Sequence, residues 1–392
     1  MKTSTRCVQL GRGHDSYGAI VPPIYQTATF EQLNATEFGE YDYTRSGNPT
    51  RTLLEQQLAD LEDAAYASCF ASGMAALTAL TRIVKTGEEI IAGDDLYGGT
   101  VRLLDRLASH QNISVRYVDT TIGDELRKAL TDRTRLILIE TPSNPLFRIS
   151  DIDDLSRIAR AAGAYLAVDN SMLSPVFQRP LNFGADIVVH SATKFLCGHS
   201  DVTAGALITN DPTLHKQLAF QQNAEGAGLS PFEAWLLLRG LKTLSLRVER
   251  QNASAEKIAR FLQARPEVSQ VFYPGLQDHP GRETHQKQAD GNGAVVSFTT
   301  GDDKLSCEIV ESTRLFKVAV SFGSVGSTIS LPCRMSHASI PTALRDRLAP
   351  PSDLVRLSVG IEDPGDLLED LERAFVLSSR GKQLEEAYNT RP

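Results

Sequence analysis

A series of short, continuously apolar segments, separated by stretches with helical spacing, constrains the fold of this chain most strongly. The apolar segments occupy residues 89–92, 115–118, 136–140, 164–169, 187–191 and 206–209. Amphipathic stretches such as 101–110 and 152–162 separate several of them. Strands that are apolar on both sides are typical of a mostly parallel sheet with helices on both faces. We therefore predict an α/β domain whose ligand site lies beyond the carboxyl ends of the strands.

The chain of 392 residues is too long for one simple core, and its pattern divides it into three parts. Residues 1–45 show no sustained period, which predicts an N-terminal arm that contacts a neighbouring subunit. Residues 46–235 carry the alternating pattern and form the predicted large domain. Residues 236–392 predict a smaller α+β domain, reached through a long helical stretch at about 231–265. Its predicted elements are strands at 294–299, 317–321, 328–331 and 354–359, a helix at 364–377, and a frayed tail over the last dozen residues.

Composition and charge exclude several kinds of protein. The formal charge of −8 argues against nucleic acid or an anionic membrane as the main partner. The longest apolar stretches are far too short to cross a bilayer, and residues 1–13 lack the apolar run of a secretory signal. The five cysteines, an odd number without a CxxC pair, argue against a disulfide framework or a structural zinc site. We expect a cytoplasmic protein with reduced thiols.

Polar side chains follow three of the predicted strands. Asp169 ends one strand, Ser191, Thr193 and Lys194 follow the next, and Asn144 follows a third strand further upstream. Pyridoxal-phosphate (PLP) chemistry needs a lysine that bonds the cofactor and a carboxylate that keeps its pyridine nitrogen protonated. The strand ends therefore offer the groups that hold the reactive ring of this cofactor.

The phosphate of such a cofactor needs hydroxyls and backbone N–H groups, best placed at the start of a helix. Ser72 and Gly73 stand at the start of a helix predicted at 73–85. Each residue alone has a plainer interpretation, because a loop lysine is usually solvated and Ser-Gly is a common helix start. An aspartate at a strand end is also often only a cap. Together, in this order on successive strand ends, the residues predict a PLP site.

Three segments of the chain carry a resemblance to a known family. They are residues 186–201 (DIVVHSATKFLCGHSD), 41–50 (YDYTRSGNPT) and 235–243 (WLLLRGLKT). The sequence resembles the Cys/Met-metabolism PLP-dependent family, which contains cystathionine β-lyases, γ-synthases and γ-lyases and methionine γ-lyases. The resemblance runs from about residue 18 to residue 375. It implies a PLP-dependent transferase-like fold (fold type I, aspartate-aminotransferase-like), with a mostly parallel sheet in the large domain and a smaller α+β C-terminal domain.

The resemblance assigns cofactor roles to matching positions. Lys194 matches the lysine that forms the Schiff base with PLP, Asp169 matches the partner of the pyridine nitrogen, and Tyr97 matches a tyrosine stacked on the ring. The positions that match the phosphate cradle are Ser191, Thr193, Gly73 and Met74. Tyr43 and Arg45 match residues that reach the phosphate of a neighbouring subunit. The resemblance therefore implies a homo-oligomer, a tetramer built from dimers that share active sites.

Further positions match groups around a small amino-acid substrate. Arg356 matches the arginine that clamps the α-carboxylate, and Asn144 and Ser321 match groups near the ring oxygen and that carboxylate. Arg356 alternates with apolar residues, so as a buried charge it should have an anionic partner. The implied catalytic base is Lys194, since a lysine with a lowered pKa can remove the Cα proton. Either Lys194 or Tyr97 would protonate the leaving sulfur.

The resemblance also bears on which bond is cleaved. Residues 321–341 look most like those of plant-type cystathionine β-lyases. Val320 stands where members that act at Cγ typically carry glutamate, and Gly99 stands where methionine γ-lyases typically carry cysteine. The resemblance thus implies β-elimination of L-cystathionine to L-homocysteine, pyruvate and ammonia, a step of methionine biosynthesis. A cystathionine γ-lyase or γ-synthase is the alternative within the family, and a non-catalytic PLP-binding protein is the alternative outside the enzymes.

Two histidines near the lysine, His190 and His199, invite a metal or acid–base interpretation. No carboxylate spacing around them supports a metal site. We therefore interpret both as structural and expect no bound metal.

Overall fold

The computed structural model describes residues 1–9, 15–338 and 340–389, with side chains up to residue 378. Its first sheet has seven strands: β1 (Tyr66–Phe70), β2 (Glu89–Gly93), β3 (Ser114–Val118), β4 (Thr134–Glu140), β5 (Tyr165–Asp169), β6 (Ile187–His190) and β7 (Gly205–Thr209). Their spatial order is β1-β7-β6-β5-β4-β2-β3, and β7 runs opposite to the other six. The mostly parallel sheet predicted from the apolar segments is confirmed, with β1 as an additional strand at one edge.

Helices cover both faces of this sheet. They are α1 (Thr3–Val8), α2 (Pro49–Leu61), α3 (Gly73–Thr81), α4 (Gly98–Gln111), α5 (Gly123–Ala129), α6 (Ile152–Ala161), α7 (Ser174–Phe177), α8 (Pro212–Ala224) and α9 (Pro231–Leu241), with a 3-10 turn at Pro180–Phe183. In β4, Leu136 and Leu138 pack with apolar residues of α3 and α4, whereas Ile137 and Ile139 pack with those of α5 and α6. Because successive side chains of a strand point to opposite faces, both sets are buried, which explains the unbroken apolar runs.

The second sheet has five short strands, β8 (Gln270–Phe272), β9 (Val295–Thr299), β10 (Lys317–Val318), β11 (Thr328–Ser330) and β12 (Val355–Ser358). Their order is β10-β11-β12-β9-β8, antiparallel except for the β10–β11 pair. The accompanying helices are α10 (Leu244–Gln263), α11 (Arg282–Gln288), α12 (Asp303–Ser312), α13 (Thr342–Leu348) and α14 (Pro364–Asn389), with a 3-10 turn at Pro332–Arg334. This is an α+β unit, and the boundaries predicted at 45 and 235 remain predictions.

The helical stretch predicted at about 231–265 consists of two helices in the structure, α9 and α10. Lys242 and Thr243 separate them, and the Thr243 hydroxyl donates to the carbonyl oxygen of Gly240 at 3.2 Å. The same carbonyl oxygen accepts from the backbone N–H of Thr243 at 3.2 Å and from Nη2 of Arg247 at 2.9 Å, so donors other than the next helical turn satisfy this helix end.

Two predicted boundaries near the C-terminus also differ from the structure. The strand predicted at 317–321 ends at Val318, and Ser321 has a φ of +82°, which a strand does not accommodate. Helix α14 continues to Asn389 through much of the predicted frayed tail, and residues 390–392 lie outside the described residues. None of the helices in the described ranges is long and apolar enough to cross a membrane.

Candidate active site

A cavity of about 440 Å³ lies at the carboxyl ends of β4, β5 and β6. Ten of the twelve predicted site residues line it: Gly73, Met74, Tyr97, Asn144, Asp169, Ser191, Thr193, Lys194, Ser321 and Arg356. Most of them lie at the end of a strand of the first sheet, in the loops that follow its strands or at a helix start, while Arg356 lies in β12 and Ser321 in a loop of the second sheet. The cavity therefore lies where a mostly parallel sheet is expected to bind its ligand.

The start of α3 forms one wall of the cavity. The Ser72 side chain caps this helix by accepting the backbone N–H of Ala75 at 3.1 Å. The N–H groups of Gly73 and Met74 belong to the first turn, where an α-helix provides no intrahelical acceptor. A Cβ on Gly73 would lie 3.0 Å from Oγ of Ser191, so glycine permits this close approach. N–H groups and a hydroxyl at a helix start suit an anion such as phosphate.

Asp169 ends β5, and its side chain faces the cavity. The backbone N–H of Ser171 donates to its Oδ1 at 3.0 Å. Burial raises the pKa of Asp169, and the hydrogen bonds from Ser171 and the charges of His190 and Lys194 oppose that rise. Because His190 and Lys194 favour its ionised form, the Asp169 carboxyl is suited to accept a hydrogen bond from a protonated ring nitrogen.

Lys194 lies in the turn that follows β6. Its Nζ donates to Oγ of Ser321 at 2.6 Å and lies 5.0 Å from the centre of the Phe322 ring. Burial, together with the nearby charge of Arg356, lowers the pKa of Lys194 to about 8, against the opposite effect of Asp169 and Glu140. A substantial fraction of this amine is therefore neutral near physiological pH, as a nucleophile or base requires.

Arg356 lies in β12 and is only 2% exposed. Its Nη1 donates to Oδ1 of Asn144 at 2.7 Å, and its Nη2 donates to the carbonyl oxygen of Ser321 at 3.2 Å. Burial lowers the pKa of Arg356 to about 10, and the charge of Glu140 opposes the shift. Both hydrogen-bond acceptors are neutral, so the guanidinium is oriented while its charge stays available for a carboxylate.

Tyr97 precedes α4 and lines the cavity with 39% of its surface exposed. Its backbone N–H donates to Oε2 of Glu140 at 3.3 Å, and its ring stands edge-on to that of His337, with 6.4 Å between the ring centres. A Cβ on Gly99 would lie 2.4 Å from Cε1 of Tyr97. Glycine at this position therefore leaves room for the tyrosine ring in the cavity wall.

Several residues that line the cavity were missed by the sequence reasoning. They are Leu77, Arg102, Glu140, Ser171, Val189, Thr203, Phe322, Met335 and Ser336. Ser72 and Val320, which were identified in the sequence, also line the cavity. Glu140 ends β4 directly beside Asp169 in the strand register. Burial and the nearby carboxylate of Asp169 hold the pKa of Glu140 well above its usual range. Its place at the end of a strand was the available signal, the same one that identified Asp169.

Tyr43 and Arg45 do not line the cavity that holds Lys194. They line a separate cavity of about 380 Å³ together with Arg51 and residues before α9. The guanidinium of Arg45 lies over the Tyr43 ring at 5.5 Å, and its Nη1 donates to the carbonyl oxygen of Asn223 at 3.2 Å. Their predicted action across a subunit boundary remains a prediction.

The two histidines interpreted as structural are both hydrogen-bonded. Nε2 of His190 lies 2.6 Å from Oε1 of Glu62, and Nδ1 of His199 lies 2.7 Å from the carbonyl oxygen of Cys197. Within the described ranges, no group of three or more His, Cys, Asp or Glu side chains could hold a metal ion.

The residues present fit PLP. The lysine has a lowered pKa, a carboxyl ends the neighbouring strand, and an anion-binding helix start lies on the same cavity. These features define a PLP-dependent enzyme of the α/β class. Residues 4–376 match the family described as Cys/Met metabolism PLP-dependent enzyme, and the chain belongs to that family.

Within this family, the chain is similar to enzymes that act on cystathionine. The chain is 54% identical over 372 residues to the chloroplastic cystathionine beta-lyase of Arabidopsis thaliana, covering 95% of this chain and 80% of that protein. It is 51% identical over 364 residues to the cystathionine beta-lyase of Neurospora crassa, covering 92% and 79%. Among solved structures, the cystathionine gamma synthase of Xanthomonas oryzae pv. oryzae in complex with cystathionine has a TM-score of 0.94 at 40% identity, covering 97% and 99%.

Proposed function

We propose that the protein is a cystathionine β-lyase, which cleaves L-cystathionine and water to L-homocysteine, pyruvate and ammonia. The observation that carries this proposal is the 54% identity to the Arabidopsis thaliana enzyme over nearly the whole chain. The family also contains relatives that act at Cγ, and the Xanthomonas oryzae pv. oryzae γ-synthase has the same fold. The side chains that line the cavity must therefore distinguish β cleavage from γ cleavage.

Val320 is the residue of the cavity that bears on this choice. It lies beside Ser321, lines the cavity and is 58% exposed. The family members that act at Cγ typically carry glutamate here, which could pair with the distal ammonium of the substrate. A valine provides no charge for that pair, so this wall does not favour the arrangement used by γ-acting relatives.

The side chains of the cavity can perform the steps of β-elimination. Arg356 would bind the α-carboxylate, with Asn144 orienting the guanidinium. Neutral Lys194 would remove the Cα proton, and Lys194 or Tyr97 would return a proton to the leaving sulfur. Bound PLP would supply the electron sink that stabilises the carbanion at Cα, with Asp169 at its ring nitrogen. A protein that only binds PLP would need neither Arg356 in this position nor a lysine of lowered pKa.

Product analysis tests this function directly. Incubation with L-cystathionine should give pyruvate and homocysteine, while predominant 2-oxobutyrate and cysteine would overturn the β-lyase proposal and leave the PLP site intact. Val320→Glu should raise the 2-oxobutyrate share, because it places a carboxylate at the exposed wall. Val320→Gln is the matched control, with nearly the same shape and no charge.

The oligomer is part of the same proposal. We infer a homotetramer built from dimers in which Tyr43 and Arg45 of one subunit complete the phosphate site of the other. This inference is supported by their position outside the cavity of their own chain. Large apolar side chains of the same arm are exposed, among them Tyr17, Ile20 and Leu33, each at least 88% exposed. A partner subunit would bury such a surface.

A further inference from the structure

A buried pair of residues lies on the reverse face of the first sheet, away from the cavity. Glu62 follows α2, and His190 is the last residue of β6. Nε2 of His190 and Oε1 of Glu62 are 2.6 Å apart, and the two side chains are 1% and 0% exposed. Val189, the neighbour of His190, lines the cavity, so alternation along the strand directs His190 to the other side.

Hydrogen bonds connect this pair to the strand that carries Asp169. Asn170, the next residue after Asp169, donates from Nδ2 to Oε1 of Glu62 at 3.1 Å and to the carbonyl oxygen of Gln178 at 2.8 Å. Nε2 of Gln178 donates in turn to the carbonyl oxygen of Thr141 at 2.8 Å. The network thus joins the ends of β4, β5 and β6, the strand ends that position Asn144, Asp169 and Lys194.

The two oxygens of the Glu62 carboxyl differ in their hydrogen bonding. Its Oε1 receives both hydrogen bonds, whereas its Oε2 is buried and has no hydrogen-bond partner within the described residues. A buried carboxylate with one oxygen unsatisfied is costly unless a cation lies against it. The imidazole of His190 is the ionisable base that contacts this carboxyl.

His190 influences the pKa of Asp169 from the reverse face of the sheet. Burial favours the neutral form of Asp169, while the hydrogen bonds from Ser171 and the charge of Lys194 favour the charged form. His190 lowers the pKa of Asp169 against the effect of burial. A carboxyl beneath a pyridine nitrogen is useful only when it is ionised, because only then does it hold the ring protonated.

We infer that Glu62 and His190 are positioning residues that keep Asp169 ionised and in place beneath the cofactor nitrogen. The inference rests on the proposed cofactor site and extends it to the reverse face of the sheet. It differs from a purely structural role, in which the pair would only hold the strand ends together.

Isosteric variants separate charge from hydrogen bonding. His190→Gln and Glu62→Gln retain polar groups but remove one titratable group each, whereas Gln178→Met removes the bonds to Thr141 and Asn170 and leaves the pair intact. We expect His190→Gln to weaken PLP binding to the cofactor-free protein about tenfold, because Asp169 loses a neighbour that favours its ionised form. It should also move the pH at which the visible band of the bound cofactor changes. Gln178→Met should lower the melting temperature and leave that pH unchanged.

A double-mutant cycle with Asp169→Asn provides the decisive measurement. If His190 acts through the charge of Asp169, His190→Gln should have no further effect on PLP affinity in the Asp169→Asn background. Additive losses, or a wild-type spectrum and affinity in His190→Gln, would overturn the inference. Glu62→Gln gives the same cycle if His190→Gln fails to fold. Absence of PLP binding to the wild-type protein would instead overturn the proposed function itself.

Discussion

Nζ of Lys194 donates a hydrogen bond to Oγ of Ser321 at 2.6 Å, and Nη2 of Arg356 donates to the carbonyl oxygen of the same serine at 3.2 Å. Ser321 therefore contacts both the Lys194 amine, which would move the proton, and the Arg356 guanidinium, which would bind the substrate carboxylate. Its φ is +82°, in a region that costs a non-glycine residue about 1–3 kcal/mol. Glycine would be conformationally easier here, so the hydroxyl at this position indicates a use beyond folding.

Two substitutions of Ser321 separate the hydroxyl from the backbone strain. Ser321→Ala removes the hydroxyl and keeps the strain, whereas Ser321→Gly removes both. Both variants should lose about tenfold or more in kcat/KM, because a hydrogen bond to a charged group contributes about 1.5–3 kcal/mol. The glycine variant should unfold at a higher temperature than the alanine variant, since glycine accommodates a positive φ without strain.

Steady-state kinetics and thermal unfolding check this prediction. Ser324→Ala is the control, because the Ser324 hydroxyl donates to the carbonyl oxygen of Gly198 and does not line the cavity. Wild-type kcat/KM in both Ser321 variants would show that the contact with Lys194 is incidental.

The lowered pKa of Lys194 predicts how its reactivity depends on pH. Only a neutral amine attacks an electrophile, so the labelling rate of Lys194 in cofactor-free protein should rise with pH and level off above about 8. The exposed Lys128 should continue to gain reactivity at higher pH, since its hydrogen bond to Glu125 raises its pKa. Arg356→Leu removes a neighbouring positive charge, so the midpoint of the pH dependence of Lys194 labelling should move to a higher pH.

Peptide mass spectrometry after amine labelling at several pH values measures these midpoints. Lys194→Ala shows which peptide carries the label, and it should also remove the visible band of the lysine-bound cofactor and abolish turnover. A midpoint for Lys194 equal to that of Lys128 would contradict the predicted shift, and an unchanged band in Lys194→Ala would contradict the role of this lysine.

Arg356 should contribute mainly to recognition of the substrate carboxylate. Removing one partner of a desolvated charge pair costs about 2–5 kcal/mol, so Arg356→Leu should lower kcat/KM by at least about thirtyfold. Arg356→Lys keeps the charge but loses the two-pronged geometry that reaches both Asn144 and Ser321, and it should lie between Arg356→Leu and the wild type. The surface variant Arg127→Lys, in a largely exposed ion pair with Asp124, should behave like the wild type.

A substrate analogue that lacks the α-carboxylate tests whether Arg356 binds that group. The wild-type enzyme should discriminate strongly against this analogue, and Arg356→Leu should lose most of that discrimination. Equal discrimination in both proteins would indicate that Arg356 supports the fold and does not bind the carboxylate.

The sequence could predict those parts of the site that depend on local order along the chain. Asp169 and Lys194 follow buried strands, and the carboxyl ends of parallel strands meet at one edge of the sheet. The contact between Arg356 and Asn144 joins residues 212 positions apart, and only the resemblance placed both near the substrate. The positive φ of Ser321 and the pairing of Glu62 with His190 depend on tertiary packing, and no local pattern indicates either of them.

Tyr43 and Arg45 should act on the cofactor of the neighbouring subunit. In their own chain they line a different cavity from Lys194, so a site assembled within one chain would lack them. Arg45→Ala should therefore weaken PLP retention although it leaves the cavity around Lys194 intact. Equilibrium binding of PLP to the cofactor-free variant measures this loss, with Arg82→Ala, which removes an ion pair with Glu225, as the control.

Mixing two impaired variants tests whether Arg45 contributes to the site of the neighbouring subunit. A mixed dimer of Arg45→Ala and Lys194→Ala subunits contains one site with an intact lysine and an intact partner arginine. With random exchange between symmetric dimers, the mixture should recover about a quarter of the wild-type activity. Mixing Arg45→Ala with the double variant Arg45→Ala/Lys194→Ala should restore none, because no site then contains both residues. If differently tagged subunits are shown to exchange and the first mixture stays inactive, Arg45 does not complete the neighbouring site.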